Sequence, residues 1–431
     1  MTETAPRTPR TGRAIASFLL ALCLHVVPAW LVLFGPLYGL PVLKTILLLN
    51  PVYVTLFWAV VLNLHYKVHH APKAFLGKFM IVAFLVYFAH FLYFSELWAI
   101  YTYLDSIYIF ASLLVFPLYH IYIRLLTTER KFSMAVHGKY LVFPLMVFLL
   151  FLPGVLIMDH EAYTDFLRRV IYDRQPDSGI QQYMFLIYHL ARVVFVAQVI
   201  WYLYANFRLI IRNNKQLQDF YSNTEDRKLQ WVQFFNISLA ITSLASIFVA
   251  LTGRETFFRG DWSLAGPSLV FSLMLFFIGL LGNVQNPVHI HPGKDEKENL
   301  PNLKEEEKEE EKAGFIADPR LKKGMEQLFE KEMVFKNQDL KIWDISQMLG
   351  TNRTYVSRYI NAEYNRNFCN HVNHYRVKYA KKLLADNPAL SNEQIAELSG
   401  FGSQNSLYRA FQAAEGFTFG HYRKKSMPTQ V

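Results

Sequence analysis

A chain of 431 residues with 52% hydrophobic and 16% aromatic side chains and a positive mean hydropathy is too apolar for one soluble globule of its size. The net charge of +10 suits anionic lipid headgroups or nucleic acid and excludes neither. Two cysteines, Cys23 and Cys369, in very different surroundings give no disulfide framework, no zinc site and no cysteine-rich secreted domain.

Taken in chain order, apolar runs long enough to span a bilayer predict eight helices, at 14–35, 46–66, 79–97, 106–126, 140–158, 182–207, 231–252 and 266–284. With the N-terminus inside, the cytoplasmic segments carry 15 Lys and Arg residues and the opposite loops carry six, a bias that fixes the topology. Eight spans then return the chain to the cytoplasm near Asn283. A second reading makes the first segment a cleaved signal peptide, with "RTPRTGR" as its basic region and "IASFLLALCL" as its apolar stretch. The apolar character runs on to Phe34 and no A-x-A site follows, which favours a span. The C-terminus is cytoplasmic with seven helices or eight.

Polar residues inside the spans invite functional readings. His90 and Glu96 fall on one predicted helix, His189 and Arg192 share a face of another, and Asn236, Ser243 and Ser246 form a polar stripe on the seventh. Hydrogen bonding between helices accounts for such residues, and that reading is preferred. His65, His69 and His70 ("HYKVHH") place two histidines four apart, as a metal pair would be. Membrane di-iron enzymes need several such boxes, and no second follows. Histidines at a basic lipid interface explain the motif, so no metal and no cofactor is assigned.

From Asn286 to Ala313 the chain changes character: nine acids, five lysines, several prolines and few apolar residues. This composition predicts a solvated, flexible linker over 286–313 between a membrane domain, 1–285, and a C-terminal domain, 314–431.

Helices are predicted in the last third at 319–334, 341–349, 352–363, 367–386, 391–399, 403–414 and 418–425. Ser391 with Gln394 reads as an N-terminal cap, and Asn387-Pro388 ends the long central helix. The informative feature is an internal repeat. "DISQMLGTNRTYVSRYI" (344–360) and "QIAELSGFGSQNSLYRAF" (394–411) superpose with one extra residue in the second turn. Ile345 matches Ile395, Met348 matches Leu398, Gly350 matches Gly400, Val356 matches Leu407, Arg358 matches Arg409 and Ile360 matches Phe411. Each unit reads as helix, glycine turn, helix, with the apolar matches holding the two helices together. One face of each second helix is left over. It carries Arg353, Thr354, Ser357 and Arg358 in the first unit, and Gln404, Asn405, Tyr408 and Arg409 in the second. The i, i+1, i+4, i+5 spacing puts each set on one side of a helix. Arg reaches guanine, Asn and Gln reach adenine, and Ser and Thr reach either, so these residues are the candidate DNA-binding set. The domain holds 17 Lys/Arg against 11 Asp/Glu, compatible with a polyanion.

The stretch "DISQMLGTNRTYVSRYINAEYNRNFCNHVNHYRVKYAKKLL" followed by "SNEQIAELSGFGSQNSLYRAFQAAEGFTFGHYR" resembles the AraC-type DNA-binding domain over about 110 residues. The resemblance rests on the joining-helix pattern "NF…VN.YRV..A..LL", the turn "IAELSGF.S" and the closing "G.T…YR". It implies two helix-turn-helix units joined by a long helix, double-stranded promoter DNA and RNA polymerase as partners, and transcriptional control, commonly activation. Phe419 departs from the family, which has proline before its last helix, and puts the start of that helix in question. The membrane half is a second departure, because the family's sensor domains are usually soluble.

The expected fold is therefore all-α, a polytopic bundle of about eight transmembrane helices followed by the double helix-turn-helix domain. The expected function is a one-component bacterial transcription regulator in the cytoplasmic membrane, able to dimerise, that senses an unknown signal or is merely anchored. No nucleophile, base or phosphate loop rises above chance, so no enzyme activity is assigned. The competing class is a membrane enzyme or transporter with a regulatory DNA-binding tail. A second histidine box, or paired broken helices with acids at mid-membrane, would favour it.

Overall fold

In the computed structural model the chain is all-α. The structure describes residues 40–65, 71–127, 131–170, 176–224, 230–252, 265–285 and 319–426. It divides into two compact units, Met1–Ile210 with Gln230–His289, and Ile211–Leu229 with Ile290–Val431.

The first unit contains α1 (Leu40–His65), α2 (Ala71–Phe94) and α3 (Trp98–Thr127). A short α4 (Met134–His137) runs through a 3-10 turn into α5 (Val142–Ile157). Then come α6 (His160–Asp165), the part of α7 (Gly179–Phe220) up to residue 210, α8 (Gln230–Thr252) and α9 (Ala265–Val284). Among the described residues, six stretches are long and apolar enough to cross a membrane: Thr45–Leu64, Pro72–Phe94, Trp98–Thr127, Met134–Ile157, Gly179–Phe220 and Gly266–Val284. The helix expected at 231–252 forms as α8, with a shorter apolar stretch, Trp231–Ile241, among its described residues. The segment expected at 14–35, the linker at 286–313, and His69 and His70 lie outside the described residues, as does the side chain of His65.

These helices are apolar on more than one face. α1 packs on α2, α2 on α3, α9 on α1, and α3 on α5. Phe143, Met146 and Leu149 of α5 and Leu186, Val193 and Ile200 of α7 remain exposed. In water such a surface would drive aggregation, whereas acyl chains cover it at no cost. Inside, Phe151, Phe166, Met184 and Ile187 form one core.

That core also holds a carboxylate the sequence reading passed over. Asp105 is 1% exposed and accepts hydrogen bonds from the hydroxyls of Tyr101 at 2.7 Å, Tyr163 at 2.8 Å and Tyr188. The phenols lie on α3, α6 and α7, so one buried acid ties three helices together.

The residues singled out inside the spans behave in different ways. His90 meets the Tyr108 hydroxyl across α2 and α3 at 3.0 Å, a bond between helices as expected. His189 instead bonds to the Phe185 carbonyl of its own helix at 2.8 Å. Glu96 is not in a helix. α2 ends at Phe94, and Glu96 is an exposed turn residue with φ +59. Asn236 and Ser243 of α8 are buried, and the Asn236 amide has no hydrogen-bond partner among the described residues. The side chain of Ser246 lies outside the described residues.

The second unit contains α10 (Pro319–Glu326), which continues through a π turn to Lys331. The helix expected to 334 stops there because Met333 turns the chain with φ +51. Then follow α11 (Ile342–Met348), α12 (Arg353–Tyr364), α13 (Phe368–Asp386), α14 (Asn392–Leu398), α15 (Gln404–Glu415) and α16 (Phe419–Ser426). The end of α7 and residues 221–224 belong to this unit as well.

The repeat is visible as two cores. Ile345, Val356 and Ile360 are buried in the first, and Ile395, Leu407 and Phe411 in the second. The matched glycines both take left-handed backbone, Gly350 with φ +64 and Gly400 with φ +85. The Ser391 cap forms as expected, with the Gln394 amide donating to Ser391 Oγ at 3.1 Å and the Ser391 amide donating to Gln394 Oε1 at 2.8 Å. The remaining apolar match does not hold the helices together. Met348 and Leu398 are 56% and 49% exposed, because each lies on the outer side of the last turn of a seven-residue helix. Leu349 and Phe401, the residues on either side of the glycines, close the cores instead.

The two glycines differ in what a side chain would meet. A Cβ at Gly350 would enter open space, whereas one at Gly400 would lie 2.5 Å from the Phe335 carbonyl oxygen. Gly350→Ala is expected to cost about 1 kcal/mol of backbone strain. Gly400→Ala adds a clash with main chain and is expected to cost about 2–4 kcal/mol. Hydrogen exchange in the full chain measures both, through the α11 and α12 amides for the first variant and the α14 and α15 amides for the second. Equal protection in the two variants would contradict the close approach.

Candidate nucleic-acid interface

Each second helix of the repeat starts from a side-chain cap. Asn352 Oδ1 accepts from the Tyr355 amide at 2.8 Å, and Ser403 Oγ accepts from the Ser406 amide at 3.1 Å. The caps fix α12 and α15 at equivalent points after the two glycines, with one extra residue in the second turn. Val356, Tyr359 and Ile360 turn one side of α12 inward, and Leu407 and Phe411 do the same for α15.

The remaining sides carry the candidate residues. Thr354, Ser357 and Arg358 are half-buried on α12, and Asn405 and Arg409 are exposed on α15. Gln404 and Tyr408 are held together. The Gln404 amide donates to the Tyr408 hydroxyl, which also accepts from Asn392 Nδ2 at 2.7 Å, while the Tyr408 ring packs against the second core. Arg353, the first residue of α12, holds its guanidinium 5.9 Å from the centre of the Phe220 ring.

α13 joins the units and contributes a buried cation. Arg376 is 1% exposed. Its Nε donates to the Phe335 carbonyl at 2.7 Å, and Nη2 donates to the Asn337 carbonyl at 2.8 Å and to Ser222 Oγ at 3.1 Å. The guanidinium also lies 5.7 Å from the centre of the Phe401 ring, in the second core. Burial lowers its pKa to about 10, so it stays charged at neutral pH. The last arginine of the closing motif is equally structural. Arg423 Nη2 donates to the carbonyls of Pro388 at 2.9 Å and Leu390 at 2.7 Å, pinning α16 to the turn before α14. The sequence displayed both arginines, but nothing in their spacing told a base-reading arginine from one that satisfies main-chain carbonyls.

Phe419 leaves the start of the last helix in place. α16 begins at Phe419, whose ring is fully buried 5.1 Å from that of Phe411. The aromatic ring serves there as a core residue.

A family model described as a helix-turn-helix domain matches residues 345–425, a stretch that begins in α11 and ends in α16. Comparison with curated proteins and with solved structures gave no match. The family match supports a DNA-binding transcription regulator and places the helix-turn-helix region on the two repeated units.

Beneath this face lies a titratable group. His371 of α13 is 1% exposed, with the rings of Phe329, Tyr364 and Tyr375 packed 4.8, 4.6 and 5.4 Å away. Burial, and then the nearby Arg366 charge, lower its pKa from 6.5 to about 3. The unfolded chain therefore takes up a proton below pH 6.5 that the folded unit refuses. Stability is complete above that value and falls as the solution is acidified toward pH 3. The slope from this group is about 1.4 kcal/mol per pH unit once well below 6.5. Hydrogen exchange of α13 amides at pH 7 and pH 5 should show the loss, and His371→Leu should flatten it. An unchanged slope in the variant would contradict the assignment.

Proposed function

We propose that the chain is a one-component, membrane-bound transcription regulator that binds promoter DNA in a sequence-specific way and activates transcription through RNA polymerase. Residues 1–285 form the membrane part, which senses a signal or anchors the chain, 286–313 the linker, and 314–431 the DNA-reading domain at the cytoplasmic face of the inner membrane. The observation that carries this reading is the pair of capped helices, α12 and α15, each with its apolar side in its own core and polar residues on the other. Two such helices fit successive major grooves about 34 Å apart, so one chain reads about 20 base pairs. Arg353, Thr354, Ser357 and Arg358 would read one groove, and Gln404, Asn405, Tyr408 and Arg409 the next. Pairing of membrane parts would bring two readers together and raise occupancy through effective concentration.

The direct test uses the full chain in lipid nanodiscs and a duplex selected by it from a random-sequence pool. Arg358→Ala and Arg409→Ala should each cost about 1–3 kcal/mol at the bases they read, and affinity should fall steeply as salt rises. Equal binding to all duplexes, or none, would refute the assignment.

The topology has its own test. Reporter fusions after residues 66, 126, 208 and 290 should all report cytoplasm, as the bias of 15 basic residues against six requires. An external signal at 290 would put the reading helices on the wrong side of the membrane for DNA.

A further inference from the structure

The second compact unit includes a segment that the helix-turn-helix match does not. α7 carries residues of both units, and its last ten residues, 211–220, together with 221–224 belong to the C-terminal one. These residues arrive from more than a hundred positions earlier in the chain and are seated among α11, α12, α13 and the second glycine turn.

The seat is specific. Tyr221 pairs with Lys341 in an isolated antiparallel bridge, and the Ser222 amide donates to the Leu340 carbonyl at 3.1 Å. The Ser222 carbonyl accepts from Cys369 Sγ at 3.3 Å, and Ser222 Oγ from Arg376 at 3.1 Å. One turn back, Asn367 Nδ2 donates to Gln218 Oε1 at 3.2 Å. Ser222 is 1% exposed, so the segment is packed in.

The two ends of the seat touch the start of α12 and the turn that leads into α15. Phe220 lies under the guanidinium of Arg353, the first residue of α12. Asn223 lies against Gly402, two residues before α15, close enough that a Cβ on Gly402 would clash with Asn223 Nδ2. In a helix-turn-helix protein it is the N-terminal end of the reading helix that meets base edges. The segment and a DNA duplex therefore make claims on the same two helix ends, and on Arg353 in particular.

We propose that residues 218–224 are an inhibitory strap, which occupies the starts of α12 and α15 and holds Arg353 on Phe220, so that DNA binding requires the strap to give way. The inference rests on the DNA-reading role given above to these helices. Because the strap continues α7, a change in that helix within the membrane part has a covalent route to the reading helices, without passing through the linker at 286–313. The strap is held by hydrogen bonds, among them a charge-assisted one from Arg376 to Ser222 Oγ, and by one cation–π contact at its edge, which a duplex contact to Arg353 can replace.

The test uses the full chain in lipid nanodiscs and the duplex selected from a random-sequence pool. Phe220→Ala is expected to tighten binding about two- to fivefold, the size of one exposed cation–π contact. In an Arg353→Ala background the same substitution should change binding less than twofold. Weaker or unchanged binding by Phe220→Ala, or a full effect that persists without Arg353, would overturn the strap. A second measurement uses the wild-type strap. With Cys23→Ser leaving Cys369 as the sole thiol, maleimide should modify Cys369 slowly, since its sulfur is covered by Ser222, and the duplex should speed the reaction. A duplex that slows it, or leaves it unchanged, would show that the strap stays seated on bound DNA. Absence of duplex binding by the native chain and every variant would instead remove the DNA-reading assignment, a distinct outcome from altered strap behaviour.

Discussion

A guanidinium buried without water must find an acceptor for its donors inside the protein, and Arg376 sets that constraint for the C-terminal unit. Its partners are the carbonyls of Phe335 and Asn337, the hydroxyl of Ser222 and the face of Phe401. These come from the segment before the first helix-turn-helix, from the end of α7 and from the second helix-turn-helix. The arginine is fully satisfied with all three in place, and departure of the strap would leave it the two main-chain carbonyls and the aromatic face. Removing one hydrogen-bond partner from a buried charge costs about 1.5–3 kcal/mol. The relative placement of the two repeated units is therefore set by a cation on the helix that joins them, and each unit's own apolar core then fixes its reading helix.

The repeat made this architecture legible. Ile345, Val356 and Ile360, and their counterparts Ile395, Leu407 and Phe411, go where their spacing puts them, because helix period and burial are local properties. The glycine turns and the Ser391 cap are local too, and form as read. Met348 and Leu398 match in the repeat yet face outward. Matching shows that two positions are equivalent, not that they are buried. The Arg376–Ser222 contact joins residues 154 apart, and no local pattern in one sequence announces such a pairing.

The apolar unit shows the same division. Among the described residues, length and hydropathy placed the helices near the expected positions, since a long apolar run leaves few alternatives, while the segment at 14–35 lies outside them. His90 bridges two helices as expected, but the other polar residues followed no rule visible in the sequence. Asp105, one carboxylate in an apolar run, gathers three tyrosines, whereas Glu96 sits in a turn and His189 turns back on its own helix. Which polar residue bridges helices depends on their rotation about their axes, and side chains far apart in sequence decide that rotation. On the candidate interface, the exposed Asn405 and Arg409 were legible from helix spacing. The mutual hold of Gln404 and Tyr408 and the placement of Arg353 on Phe220 were not.

The central claim is that a chain built into a bilayer reads DNA with α12 and α15. Mapping the chromosomal sites cross-linked to the full chain, beside a chain in which both Arg358 and Arg409 are alanine, tests it most directly. The account predicts a small set of sites that share a two-part sequence about 20 base pairs long, recovered with the membrane fraction and lost in the double variant. Recovery of no sites above background, or of the same sites with both arginines removed, would contradict it.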